Sequence, residues 1–508
     1  MAEDLNVDEW ELYDALAKVN DSSSLDVVRS KKIDLPKDVI RWRNVVGEFS
    51  LYNEYSATMS YYVTLGQILK DVVRVPIGRL ALDPRIHYCW IQTSRSGKTT
   101  MFDFLQPVWE RTFELINAYP TSRNQIPLSG VYQFNLQNPD SFTDQALLGT
   151  MKINVPNPDY DRQQAREDDD YDVPELTDMT IYGSLYGSGI IAFDEFEHSG
   201  IFKESQHKQE TVMLFQKFMN RLDSKSHLIK KRLTEWGRDL IVDSQRSLWA
   251  TTLPPEGLEK VILTKGVFQR MWLYVRDVPE SLRAQMEEDY IDMVGEILED
   301  EDGSAVYHEE FSEMLYNTYR WVRDRLDAVE GDKRKVVEWT EDGQKALKNV
   351  WRGMKKYMNT FDDSIYEALN TFLMNMINNI CIAAALNAIS ERSTKITAKH
   401  IKQGRQLTDE SFDSITTWFT EKLKKRPKRF SDKSNEKMYI AAYNSTNPKI
   451  KVNGTNGWVD KKLMIESFRK NEQCGRNKFY RHWQNVKHIF EEVRKSNTYV
   501  KLKVKEDD

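Results

Sequence analysis

The feature that most constrains this chain is a change of character across residues 88–113. The apolar run Tyr88-Cys89-Trp90-Ile91 gives way to a polar loop, Gln92-Thr93-Ser94-Arg95-Ser96. Gly97-Lys98-Thr99-Thr100 then opens a helical segment, 101–113. A strand, a glycine-bearing loop and a helix in that order gather backbone N–H groups and a helix N-terminus around one point, where an anion is favoured. The spacing predicts a phosphate-binding loop over Gln92 to Thr100, with Lys98 on the terminal phosphates of a nucleotide and the Thr99 hydroxyl on Mg²⁺. Gln92 stands where such loops usually carry their first glycine, so this segment alone leaves an ordinary basic loop open.

A second apolar run, Gly189-Ile190-Ile191-Ala192-Phe193, ends in Asp194-Glu195. Continuous apolar runs mark strands buried on both faces, and such strands deliver their last residues to the carboxyl edge of a parallel sheet. Beside the upstream loop, this pair is expected to act as a site rather than an acidic turn: Asp194 on Mg²⁺, Glu195 polarising an attacking water. Further β-like runs at 131–136, 247–251 and 271–275 alternate with helical segments, which predicts an α/β core with a parallel sheet and crossovers.

The order of these elements, followed by Arg246-Ser247-Leu248-Trp249-Ala250-Thr251-Thr252-Leu253-Pro254 and then Phe268-Gln269-Arg270-Met271-Trp272-Leu273-Tyr274-Val275-Arg276-Asp277-Val278-Pro279, resembles the AAA+ P-loop ATPases. More narrowly, with Asp194-Glu195-Phe196, it is similar to the minichromosome maintenance (MCM) helicases and phage and plasmid replicative relatives, over roughly residues 86–410. The resemblance implies an AAA+ core with a helical lid, ATP and Mg²⁺ as ligands, and a DNA helicase or translocase of viral or mobile-element replication working as a hexameric homo-oligomer on single-stranded or forked DNA. It implies that Arg270 enters a neighbouring subunit's site and that Thr252, or Thr251, takes the sensing position where MCM proteins carry asparagine. Residues 227–242 are placed like the hairpin that MCM proteins project into the ring channel, with Lys230, Lys231, Arg232 and Arg238 on phosphates and Trp236 stacking on a base. The helix over 366–385 has no arginine to sense nucleotide in cis. Two rival readings are an ATPase that loads or remodels proteins on DNA, and a DNA-binding regulatory protein that uses ATP for assembly.

Charge divides the chain. Residues 421–508 hold 23 Lys and Arg against 11 Asp and Glu, a net of +12, so the rest carries −18 of the overall −6. The order helix, helix (461–471), turn at Gly475, helix (477–493) and strand (499–504) predicts a winged helix-turn-helix, with Arg476, Lys478 and Arg481 on DNA and Phe479, Tyr480 and Trp483 mainly in its core. The expected divisions are a helical arm at 1–75, the ATPase core at 76–280, a helical lid at 281–420, a basic linker at 421–434 and the DNA-binding domain at 435–508. Residues 158–175 read as an acidic surface insertion. Cys89, Cys381 and Cys474 are scattered, which excludes a disulfide framework or the zinc-bearing domain of MCM proteins and fits a reducing compartment. The acidic N-terminus lacks an apolar leader, and the most apolar stretch, 372–389, is broken by Asn375, Asn378, Asn379 and Asn387. A cytoplasmic protein with no membrane span is therefore expected.

Overall fold

The computed structural model describes residues 34–50, 53–77, 80–93, 96–119, 132–139, 141–161, 164, 172–199, 201, 209–222, 224–233, 238–254, 266–275, 284, 288, 303–327, 337–359, 363–425, 432–471, 479, 483, 486–495 and 497–503. The chain divides into two compact units, Met1–Thr420 and Glu421–Asp508.

The first unit begins with α1 (Lys37–Phe49), α2 (Glu54–Ile68), a short hairpin of β1 (Val75–Ile77) and β2 (Leu80–Leu82), then β3 (Tyr88–Ile91), α3 (Lys98–Asn117) and β4 (Phe134–Gln137). It continues with α4 (Asp144–Leu148), β5 (Gly149–Pro156), β6 (Leu176–Tyr182), β7 (Gly187–Phe193), α5 (Gln209–Phe218), β8 (Ile229–Leu233), β9 (Arg238–Val242), β10 (Ser244–Thr252) and β11 (Trp272–Val275). Five of these strands form one sheet in the order β11-β3-β10-β7-β4, with every neighbouring pair parallel. Every residue of β3, β7, β10 and β11 is buried, as a sheet covered on both faces requires. Alternate side chains reach opposite layers: Trp249 meets Trp109 of α3 at 5.9 Å, and Phe193 meets Phe215 of α5 at 6.0 Å.

Helix α2 belongs to this core rather than to a separate arm. All residues from Tyr55 to Ile68 are buried, so the helix has no solvent face, and its polar tips need internal partners. Tyr55 donates to the Leu407 carbonyl at 2.7 Å, Tyr61 pairs with Ser390 at 2.9 Å, and the Trp109 indole donates to Thr64 at 2.6 Å.

The expected lid is also divided. Helix α6 (Gly303–Asp327) runs along α3. Its buried Phe311, Leu315, Tyr319 and Val322 recur at helical spacing, and Ser312 donates to the Val108 carbonyl at 3.1 Å. A two-residue parallel pair, β12 (Glu338–Trp339) and β13 (Lys395–Ile396), accompanies α7 (Glu341–Met358), α8 (Asp363–Ser390) and α9 (Ala398–Lys425). Residues Phe372–Ser390 of α8 are long and apolar enough to cross a membrane by length and composition, yet 72% of that stretch is buried inside the unit. Its apolarity serves the helical core, and Asn387 is turned inward to accept from Tyr62.

Two antiparallel ribbons, β5–β6 and β8–β9, stand apart from the sheet. Both return to its amino edge at neighbouring points, because β7 and β10 begin opposite each other at Gly187 and Ser244.

The second unit contains α10 (Asp432–Ser445), β14 (Ile450–Val452), β15 (Thr455–Asp460), α11 (Lys461–Asn471), β16 (Phe490–Arg494) and β17 (Thr498–Leu502), with strands in the order β14-β15-β17-β16. Since α9 runs to Lys425 and α10 starts at Asp432, the expected linker is helical at both ends. The predicted helix over 477–493 gives way to β16, whose Glu492 pairs with Val500. The β14–β15 hairpin was not expected; it turns at Asn453 and Gly454, both at positive φ (50° and 83°), the backbone that Asn-Gly turns supply. Phe479, Trp483 and Val486 are buried with Tyr439, Phe468 and Phe490, so these aromatics form the unit's core.

Candidate active site

Strand β3 ends at Ile91, and the Gln92 N–H continues the ladder to the Thr252 carbonyl at 3.1 Å. The Gln92 side chain, buried, accepts from the Trp90 indole. It thus faces the interior, and only its backbone faces the loop. Ser94 and Arg95 lie outside the described residues. Gly97 has φ 75°, and a Cβ there would lie 2.6 Å from the Ser50 carbonyl oxygen. A side chain at this position meets both a strained backbone and a wall. Asn53 braces that wall: its amide donates to Ser50 O at 2.7 Å and Ser96 O at 2.6 Å, tying the loop to the α1–α2 corner.

Helix α3 starts at Lys98 with no side-chain cap, which leaves its first N–H groups for an external acceptor. The Ser96 hydroxyl beside it is buried and has no hydrogen-bond partner among the described residues. Lys98 Nζ donates to the carbonyls of Gln92 at 2.6 Å and Thr93 at 3.0 Å. Burial lowers its pKa, against the opposing pull of Asp194 and Glu197.

Strand β10 separates β3 from β7, so its last residues fall between the loop and the acidic pair. Thr251 donates to Asp194 Oδ1 at 2.5 Å, and Thr99 reaches Asp194 Oδ2 at 3.4 Å. Thr252 instead donates to Glu197. The hydroxyl next to the expected Mg²⁺ ligand is therefore that of Thr251, and Glu197 is a second carboxylate near Lys98 that the motif did not reveal. It lies on the short helical turn Phe196–Ser199 that follows the acidic pair. Glu195 has φ 55°, a left-handed conformation rare for its type, which turns the chain sharply off the strand. Its carboxylate lies 3.3 Å from His198 Nε2, with both side chains about two-thirds exposed. Among the described residues no group of three or more His, Cys, Asp or Glu is arranged to hold a metal ion. A cation here would need the Thr99 hydroxyl, Asp194 and ligand oxygens, the donor set that Mg²⁺ takes with nucleotides.

Arg270 lies at the opposite edge of the sheet. It precedes β11, whose Trp272 pairs with Tyr88 at the start of β3, whereas Lys98 follows the end of β3. Three residue rises of about 3.3 Å separate those edges. Arg270 Nη1 donates to the Gly266 carbonyl at 2.6 Å, and partial burial lowers its pKa. It does not join the Lys98 site of its own chain.

Lys230 pairs with Ile241 on one face of the β8–β9 ribbon and Lys231 with Leu240 on the other; in the same ladder Arg232 pairs with Asp239 and Leu233 with Arg238. Ile229, Leu240 and Val242 are buried on that second face, whereas Lys230 and Ile241 are exposed on the first. Trp236, Arg476, Lys478 and Arg481 lie outside the described residues. Compared with known protein families and with curated proteins, the sequence matches none.

Proposed function

We propose that the chain is an ATP-hydrolysing P-loop motor of the AAA+ class, a DNA helicase or translocase acting in replication inside the cell. The observation that carries this reading is the meeting of Lys98, Thr99, Asp194 and Thr251 at the carboxyl edge of the parallel sheet, beside a helix N-terminus that no described side chain caps and a buried Ser96 hydroxyl with no partner among the described residues. Orphaned donors around a glycine-bearing loop fit a bound phosphate, which would satisfy them together.

Each residue then has a task. Lys98 exchanges its two loop carbonyls for the β- and γ-phosphates, and the loop N–H groups hold the same oxygens. Thr99 and Asp194 would hold Mg²⁺, which would supply positive charge to the phosphates. Thr251 fixes the Asp194 carboxylate, and Glu195, freed from His198, orients and polarises the attacking water. Arg270, unable to serve its own site, serves a neighbour's and stabilises charge on the transferred group. That assignment needs an oligomer, proposed as a hexameric ring. The β8–β9 ribbon offers Lys230 and Arg232 to the DNA backbone. The basic second unit, read as a winged helix, supplies a further contact.

The test is DNA-stimulated ATP turnover by Lys98→Ala and Glu195→Gln. Both are expected to abolish it, with Glu195→Gln still binding nucleotide; parental turnover by Glu195→Gln would overturn the site. Strand displacement on forked DNA separates a helicase from a loader.

A further inference from the structure

The root of the β8–β9 ribbon is closed by one buried side chain. His227 stands two residues before β8, and Asp243 links β9 to β10. His227 Nε2 lies 3.0 Å from Asp243 Oδ1, and Nδ1 lies 2.6 Å from the Ser224 carbonyl oxygen. A carbonyl and an ionised carboxylate only accept, so both ring nitrogens must donate. A neutral imidazole has a single N–H, and the imidazolium has two.

Asp243 ties this contact to the rest of the fold. Its Oδ2 accepts from Gln245 at 3.2 Å, the Gln245 Oε1 accepts from Lys70 at 2.9 Å, and its own carbonyl accepts from Gly187 N–H at 3.1 Å. The Asp243 side chain is thus bonded to Gln245 of β10 and through it to Lys70, two residues past the end of α2, while the Asp243 main-chain carbonyl holds the start of β7.

We propose that His227 is a positioning residue, held as an imidazolium whose two N–H bonds lock the β8–β9 ribbon to the sheet, so that raising the pH unlocks the ribbon. This concerns the same ribbon as the proposed DNA contact, but its test reads the ribbon itself. The charged groups around the imidazolium are Asp243, which favours it, and Arg85, which opposes it and is itself paired with Asp83 at 2.8 Å. Lys70 faces Asp243 from the other side. The hydrogen bond to Asp243 raises the His227 pKa above its ordinary value of 6.5 despite burial. Burial pushes the Asp243 carboxyl up, but bonds from His227 and Gln245 hold it below its ordinary value. His87 near Arg85 is pushed down to about 3 by burial and stays neutral throughout.

Because the locked state binds the proton more tightly than the open state, locking is complete below the ordinary imidazole value of about 6.5 and is lost as pH rises through the raised one. The experiment follows two signals in the full-length protein between pH 6 and 9. One is the His227 imidazole resonance; the other is amide hydrogen exchange over 229–242, corrected for the intrinsic pH dependence of exchange. The imidazole is expected to titrate above 6.5, with ribbon opening rising by up to about tenfold per pH unit in the window between. Opening in His227→Gln is expected to be flat with pH, and Asp243→Asn should return the imidazole to near its ordinary value. An imidazole that titrates at or below 6.5, or a parental ribbon whose opening ignores pH, would overturn the proposal. A ribbon that responds as expected yet binds no DNA would leave the lock intact and remove only the DNA contact.

Discussion

Thr251 and Thr252 are adjacent hydroxyls with separate partners, and removing each in turn tests how the site is wired. Thr251→Val keeps the shape of a side chain that is only 2% exposed and deletes its bond to Asp194 Oδ1. Among the described residues that oxygen then keeps only the Glu195 N–H at 3.2 Å. A hydrogen bond to a charged group contributes about 1.5–3 kcal/mol, which corresponds to a loss of roughly 10- to 150-fold at 1.36 kcal/mol per decade. The loss should appear in kcat/KM for ATP and in the Mg²⁺ concentration needed for half-maximal turnover, because Asp194 loses its fixed orientation. Thr252→Val deletes a bond to Glu197, one step removed from the proposed cation, and should cost less than about fivefold. Steady-state turnover under Mg²⁺ titration, with thermal unfolding to establish that both variants fold, decides the matter. A folded Thr251→Val protein with parental turnover, or a larger loss in Thr252→Val, would refute the placement of Asp194 and return the sensing role to Thr252.

Two other outcomes follow from the geometry. Arg270 and Lys98 occupy opposite edges of the sheet, so Arg270→Ala and Lys98→Ala proteins, each inactive alone, should regain part of their turnover when mixed and allowed to reassemble; no regain would remove the trans assignment. Gly189 has φ 112°, and a Cβ there would sit 1.9 Å from the Asn135 carbonyl oxygen. Gly189→Ala should therefore lower stability by more than about 3 kcal/mol by pushing β4 from β7, and an unfolding midpoint within a few degrees of the parent would contradict that close approach.

The sheet was legible because its evidence is local. The strands around Trp90 and Ile191 are apolar runs, Leu248-Trp249-Ala250 forms the apolar centre of a third, and Gly97-Lys98-Thr99 opens a helix as its spacing requires. Long-range features were not legible in this way. Nothing in residues 54–68 alone says that Tyr55, Tyr61 and Tyr62 bond to helices more than 300 positions away, and so α2 read as part of a helical arm. The β5–β6 ribbon escaped notice because its strands flank an acidic segment that dominates the composition. Its exposed Leu176, Met179 and Tyr182 break the alternation by which a half-buried strand is recognised. Gln92 looked like a defect in the loop until Trp90 supplied its partner, and Thr251 and Thr252 could not be told apart by sequence because which carboxylate each meets depends on strand order. For Arg476, Lys478 and Arg481 the structure adds nothing to the sequence.

The shared origin of the two ribbons has a consequence for change over time. Each leaves and re-enters at almost one point: Gly149 pairs with Tyr182 in one, Ile229 with Val242 in the other. An excursion whose two ends touch can be lengthened, trimmed or exchanged without stretching the framework that carries it. Both excursions, moreover, emerge from the edge farthest from Lys98 and Asp194. Under the proposed function, a ribbon altered in length or sequence would change the surface offered to DNA and leave the geometry around Lys98 and Asp194 in place.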